Sequence, residues 1–254
     1  MRYALSPAGL RTLARLSRAN VLLAFDYDGT LSPIVVDPAR AEMRPRTRAL
    51  LALLASTYPC AVISGRARDD VLVRLSGIEL CAVIGNHGAE PLPGARLSVQ
   101  VRRWRSDLEP TIAALPGVEI EDKHLSLSVH YRRSTDKHKA RGAILHATRV
   151  LEGARIVGGK QVVNVLPFGA RHKGAALEAV RRKQGCDAAI YVGDDDTDED
   201  VFALAKHHDI LGIRVGMKRA THAEYFVRGQ SEVDRLMEEL VSYRRSRVEG
   251  GVGA

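Results

Sequence analysis

Five short runs of almost unbroken apolar residues punctuate the chain: VLLAFD at 21–26, CAVIS at 60–64, CAVIG at 81–85, AAIYVGD at 188–194 and ILGIRVG at 210–216. In each run the odd and the even positions are both apolar, which predicts strands covered on both faces. Helical spacing fills the gaps between them, predicting helices over 46–56, 68–75, 173–183 and 198–205. Strand and helix in alternation imply an α/β fold with a Rossmann-like parallel sheet. Leu10, Leu13 and Leu16 with Pro7 near the start predict an amphipathic helix leading into the first strand.

The segment 101–166 breaks this rhythm. A helical stretch over 104–114 precedes GVEIED and LSLSVHYRR, and the second of these alternates polar with apolar, as a strand with one wet face does. A second helix over 135–151 follows, then ARIVGG and QVVNVLP, a hairpin across Gly158, Gly159 and Lys160. The expected domain plan is a core of 1–100 and 167–254 interrupted by a small α+β cap over 101–166. A chain of 254 residues, 45% apolar, is long enough for both. The closing VEGGVGA is expected to be disordered.

The formal net charge is +8. The basic clusters (Arg102-Arg103-Trp104-Arg105, Arg132-Arg133, 137–141, 181–183 and 244–247) are scattered, and aromatics are only 5% of the chain, so solvated helix faces explain them better than a nucleic-acid site. Cys60, Cys81 and Cys186 form no C-x-x-C pair and sit at apolar runs, as small hydrophobes in a reducing, cytoplasmic compartment do. No apolar run approaches the roughly 20 residues of a membrane helix. The expected partner is a small anion, with neither nucleic acid nor membrane, and the chain is expected to act as a monomer.

In open parallel sheets, ligands bind beyond the carboxyl ends of the strands. The unusual residues of this sequence gather at those ends: Asp26 and Asp28 after the first run, Ser64-Gly65-Arg66 after the second, GNHGAE (85–90) after the third and GDDDTDED (193–200) after the fourth. Two unit charges about 4 Å apart repel by about 4 kcal/mol at an effective dielectric of about 20. A cluster that includes Asp26, Asp28, Asp194, Asp195, Asp196 and Asp198 therefore needs a cation. All-oxygen donors point to a hard ion, Mg²⁺ before Zn²⁺, and the spaced calcium loop of an EF-hand is absent. Lys173 at a helix start can offset part of the charge and hold an anion. Ser64 and the Gly65 amide suit phosphate oxygens.

DYDGTL, then SGR, then a lysine, then GDDDTDED resembles the haloacid dehalogenase superfamily of aspartate-nucleophile phosphotransferases. GNHGAE, EDKHLSLSVHYR and the Pro-x-Gly-x-x-Lys-Gly stretch at 167–174 further resemble trehalose-6-phosphate phosphatases, with matching segments over about 21–202. The resemblance implies a haloacid dehalogenase-type core with an inserted cap, acting in the cytoplasm on trehalose 6-phosphate as the last step of trehalose synthesis. It implies Asp26 as nucleophile, forming an aspartyl phosphate, and Asp28 as general acid and then base. Residues i and i+2 of an extended chain share a face, which suits this pair. It implies Mg²⁺ on Asp26, the Asp28 carbonyl and Asp194, with Asp198 behind them, and phosphate oxygens on Ser64, Gly65 and Lys173. The sugar would meet Lys123, His130 and Arg132 from the cap, and Arg66, His87 and Glu90 from the core. One departure stands out: family members usually carry a glutamate where this chain has Asn164. That keeps open another sugar phosphate, such as sucrose 6-phosphate or mannosyl-3-phosphoglycerate. A phosphoacceptor domain is the rival of another class, and the carboxylate at position 28 together with the insert argues against it.

Overall fold

The computed structural model describes residues 1–35, 37–91, 95–206 and 208–250. In chain order its strands and helices are β1 (Arg2–Tyr3), α1 (Pro7–Ser17), β2 (Val21–Phe25), α2 (Pro45–Ala55), β3 (Cys60–Ile63), α3 (Arg68–Arg74), β4 (Ala82–Ile84), α4 (Ala95–Ala113), β5 (Glu119–Asp122), β6 (Leu127–His130), α5 (Lys137–Ala147), β7 (Ala154–Gly159), β8 (Val162–Pro167), α6 (Lys173–Lys183), β9 (Ala188–Gly193), α7 (Glu199–Phe202), β10 (Ile210–Val215), β11 (Tyr225–Val227) and α8 (Gln230–Gly250). Seven strands form one parallel sheet in the order β1-β11-β10-β9-β2-β3-β4.

The continuous apolar runs are explained by two buried faces. Val21, Leu23 and Phe25 of β2 point to one side, where they join Leu13 of α1, Leu51 and Leu54 of α2, and Val233, Leu236, Met237 and Leu240 of α8. Leu22 and Ala24 point to the other side and meet Ala176, Leu177 and Val180 of α6 with Val201 and Phe202 of α7. Strand order runs outward from β2 in one direction through β3 and β4, and in the other through β9. The crevice between β2 and β9 is thus the topological switch point, where the sheet opens to a ligand.

The second sheet is antiparallel, in the order β5-β6-β8-β7. Its apolar face carries Leu127, Val129, Val163 and Val165, packed on Val101, Trp104, Leu108 and Ile112 of α4 and on Ala140 and Ile144 of α5. The alternate residues, Ser128, His130, Val162 and Asn164, line the opposite face, and Ser128 pairs in register with Asn164. Helix, two strands, helix, two strands is the order expected from the sequence.

The differences lie mainly at ends. α4 starts at Ala95, nine residues before the expected helix, because the face set by Val101, Trp104 and Leu108 propagates N-terminally. β1 and β11 were not foreseen; two and three residues are too few to show a period. The expected disordered tail is helical through Gly250, at the end of α8, and 251–254 lie outside the described residues. Arg244 is no solvated charge: it donates to the Ser17 and Thr57 carbonyls and stacks over Tyr58. All three cysteines are unpaired, Cys60 and Cys186 buried and Cys81 half-buried. Among the described residues, no helix is long and apolar enough to cross a membrane.

Leu236 is fully buried in α8 against the central strands. Leu236→Ala should cost about 2–5 kcal/mol of stability, read as a lowered midpoint in urea denaturation with an unchanged slope.

Candidate active site

β2 ends by turning sharply. Tyr27 points into the core, where its hydroxyl donates to the Ala41 carbonyl, while Asp26 and Asp28 both face the cleft at the switch point. Gly29 at φ +83° closes the turn. A β-carbon there would stand 2.1 Å from Asp194 Oδ2, so the loop approaches β9 this closely only without a side chain.

Three carboxylates converge behind this turn. Asp26, Asp194 and Asp198 are buried, and an oxygen from each lies within 4.8 Å of the others. Lys173, at the first turn of α6 and 1% exposed, donates to Asp26 Oδ1 and Asp198 Oδ1, each at 2.7 Å. Asp198 also accepts from the Tyr191 hydroxyl at 2.7 Å and from the Asp195 amide at 2.8 Å. Asp194 accepts from Lys160 Nζ at 2.5 Å through Oδ2, while its Oδ1 is buried without a partner.

The electrostatics follow from this crowding. Burial pushes the Asp26 carboxyl well above its ordinary range; Lys173 opposes the push, and Asp198 and Asp194 add to it. Burial would lower Lys173, but Asp198 and Asp26 outweigh it and hold the ammonium charged. Burial lifts Asp194 to about 7 against the pull of Lys160, with Asp198 adding to the rise. Burial also lifts Asp195, to about 6. An orphaned buried oxygen and three oxygen donors in one cluster, short of positive charge, fit a hard divalent cation.

The expected residues of the other strand ends are placed unevenly. Arg66 is buried and clamps Asp28 with both limbs of its fork, Nε to Oδ2 at 2.6 Å and Nη2 to Oδ1 at 2.8 Å, with a third bond to Asp70 at 2.7 Å. Gly65 and Arg66 line the cleft. Ser64 lies fully buried behind them, its Oγ accepting from the Arg66 amide at 3.2 Å. His87 lines the cleft with neither ring nitrogen partnered, and burial holds its pKa well below the ordinary value, helped by Lys123 and Lys173. Glu90, expected as a sugar contact, is spent elsewhere: its Oε2 accepts from the Arg68 amide at 2.6 Å, at the start of α3. A carboxylate at a helix N-terminus satisfies a backbone donor, and this one is not part of the cleft wall.

The polar face of the antiparallel sheet forms the opposite wall. Lys123 donates to the Gly65 carbonyl at 3.1 Å and to Ser128 Oγ at 2.9 Å. Ser128 in turn donates to Asn164 Oδ1 at 2.8 Å. His130 Nε2 lies 2.8 Å from Glu121 Oε2. The Arg132 guanidinium donates to the carbonyls of Val35 and Lys160. The space between the walls is about 1150 Å³, part of it open to solvent.

Comparison with known proteins agrees with this arrangement. The family model described as trehalose-phosphatase matches residues 24–231, from the strand before Asp26 to the start of α8. The chain belongs to the trehalose-phosphatase family. Its relatives include probable trehalose-phosphate phosphatase 4 of Oryza sativa subsp. japonica, 32% identical over 255 residues that cover 92% of this chain and 69% of the relative. Trehalose-phosphate phosphatase B of Arabidopsis thaliana is 28% identical, over 90% of this chain and 68% of that one. Among solved structures, the C-terminal domain of C. albicans trehalose-6-phosphate phosphatase superposes with a TM-score of 0.82 at 23% identity, covering 95% of this chain and 99% of that one. The sucrose-phosphatase of Synechocystis shares the fold at a TM-score of 0.58 and 14% identity, over 89% and 98% of the two chains. Members of the family are phosphoric monoester hydrolases, and the fold is that of haloacid dehalogenase phosphatases.

Lys160, Glu121 and Ser128 are among the residues of this trehalose-phosphatase cleft that the sequence does not single out. Lys160 sits in a hairpin turn that reads as a connector, and only the packing of the two sheets brings its ammonium to Asp194. Glu121 shares the wet face of β5 with Glu119, a parity that four residues show faintly. Asp196 was counted in the acidic cluster, yet it turns away and pairs with Lys218.

A carboxyl raised by folding holds its proton more tightly folded than unfolded, so the contribution of Asp194 to stability falls as pH rises from about 4 to about 7. In chelator, Asp194→Asn should gain thermal stability relative to the parent as pH rises from about 5 to about 7.5. Thermal melts at the two pH values check this; a difference that shrinks with rising pH contradicts it.

Proposed function

We propose that this chain hydrolyses trehalose 6-phosphate to trehalose and phosphate, as the last step of trehalose formation. The observation that carries the reading is the Asp26–Lys173–Asp198–Asp194 cluster at the switch point, facing a wall that carries Lys123, Ser128, His130 and Asn164. Family membership supports the same substrate.

The Asp26 carboxylate attacks phosphorus in line. An oxygen–phosphorus bond forms to Asp26, the bond from phosphorus to the sugar oxygen breaks, and Asp28 gives its proton to that oxygen. Water then attacks the aspartyl phosphate, Asp28 takes a proton from it, and phosphate leaves with Asp26 restored. Arg66 donates one bond to each Asp28 oxygen, which fixes the carboxylate and leaves each oxygen a second lone pair for the proton it exchanges. Lys173 keeps Asp26 aimed and opposes the effect of burial on its carboxyl. The Gly65 amide, backed by Ser64, and the Lys173 ammonium hold the phosphate oxygens. Asp26, Asp194 and the Asp28 carbonyl, with Asp198 behind them, would hold Mg²⁺; when bound it neutralises phosphate charge.

The segment 101–166 acts as the cap in this reading, with Lys123, His130, Arg132 and Asn164 as contacts to sugar hydroxyls and His87 opposite them. The fold likeness to phosphatases of sucrose and other sugar phosphates, together with the amide at position 164, favours one second reading: the same chemistry on another sugar ester. The three unpaired thiols support a reducing, cytoplasmic setting.

Phosphate release from trehalose 6-phosphate, sucrose 6-phosphate, mannosyl-3-phosphoglycerate and glucose 6-phosphate, with Mg²⁺ and with chelator, tests the assignment. Selective, metal-dependent release from the trehalose ester is expected. A preference of about tenfold or more for another ester moves the assignment to that sugar. Asp26→Asn should lower turnover by about a thousandfold or more with the fold retained by circular dichroism, and undiminished turnover refutes Asp26 as nucleophile.

A further inference from the structure

The loop after β4 runs through three successive residues with positive φ: Asn86 at +48°, His87 at +56° and Gly88 at +112°. Only glycine takes this region freely, and asparagine tolerates it better than most side chains. A chain that adopts it twice with side chains attached is held there by its surroundings. The holding contacts come from both sheets. The Asn86 amide N–H donates to the Arg66 carbonyl at 2.7 Å, and the His87 N–H to the Ser64 carbonyl at 2.9 Å, which fix the loop to the end of β3. The Asn86 side chain then faces the other way. Its Nδ2 donates to the Lys123 carbonyl at 2.9 Å, and its Oδ1 accepts from Ser126 Oγ at 2.7 Å. Asn86 is 1% exposed and Ser126 is fully buried, so both bonds are out of competition with water.

Lys123 and Ser126 are the two ends of the turn between β5 and β6. The Lys123 amide donates to the Ser126 carbonyl at 3.0 Å, and the Leu125 amide to the Lys123 carbonyl at 2.8 Å. One primary amide therefore grips the turn at both of its ends. The turn carries Lys123, whose ammonium bonds the Gly65 carbonyl and Ser128 in the cleft wall. Asn86 itself is not among the residues that line the cleft.

We propose that Asn86 is a positioning residue: it clamps the β5–β6 turn to the carboxyl edge of the parallel sheet and so sets the Lys123 ammonium over the phosphate-side loop at Gly65. Without the clamp the turn is tied to the core by the long, flexible Lys123 side chain, and that side chain has to find its place anew for each ligand. The effect falls on recognition of the sugar half of a substrate, since both side-chain bonds of Asn86 go to the β5–β6 turn and neither goes to the Asp26–Lys173 cluster.

The test uses Asn86→Gly in the full chain. Glycine accepts φ +48° without strain, so the variant removes both side-chain bonds and leaves the loop its conformation. Hydrogen–deuterium exchange should quicken by about tenfold in peptides covering 121–128 and stay unchanged in 154–167. The kinetic arm rests on the phosphatase reading above: KM for trehalose 6-phosphate should rise by about tenfold, while kcat for p-nitrophenyl phosphate stays within about twofold. Ser126→Ala removes one of the two bonds from the other partner and should shift both readouts the same way by less. The double variant should be no worse than Asn86→Gly alone, because both substitutions break one shared bond. Unchanged exchange over 121–128, equal losses on the two substrates, or fully additive single effects would each overturn the proposal. Should the parent chain release no phosphate from any sugar ester, the phosphatase reading fails, and the exchange arm still decides the clamp.

Discussion

The buried ammonium of Lys173 is the interaction on which the rest of the molecule depends. Three carboxylates from two adjacent strand ends, Asp26, Asp194 and Asp198, stand within 4.8 Å of one another in the core of the switch point. Their repulsion alone would drive β2 and β9 apart at their carboxyl ends. Lys173 bridges two of the three from the first turn of α6, at a cost in desolvation that its bonds to Asp198 and Asp26 outweigh. The backbone arrangements nearby answer to the same constraint. Gly29 lets the β2 turn press against Asp194, and Tyr191 gives Asp198 a hydroxyl donor from within β9.

The sheet was legible because burial on both faces leaves a signature that needs no tertiary knowledge. Every residue of β2 is apolar, and its odd and even positions enter two different cores. The carboxylates of the cleft were legible for a related reason: charge at the end of such a run has no structural purpose a polar turn residue would not serve better. The insert was readable through a weaker period, since one face of β6 is polar, carrying Ser128 and His130.

What the sequence hid depends on how the two sheets meet. Nothing local marks Lys160 as more than a turn residue, nor Arg66 as the partner that fixes Asp28. The carboxylate of Glu90 reads as a ligand contact, yet it completes a helix start, and the guanidinium of Arg132, on the cleft wall, also holds backbone carbonyls across the cleft mouth. Charged side chains near a site divide between touching a ligand and holding the walls. Only distances separate the two groups.

Proton supply at the cleft wall settles one further point. The Lys123 ammonium has protons only to give, so Ser128 Oγ must receive one from it. The single hydroxyl proton of Ser128 is then left for Asn164, whose oxygen takes it. With the amide oxygen toward the serine and its NH₂ turned away, each proton along this chain meets an acceptor. A carboxylate in the same place would accept on both sides. Here the wall hands hydrogens outward along a one-way chain from lysine to serine to amide, and a ligand meeting Asn164 there is asked for a lone pair.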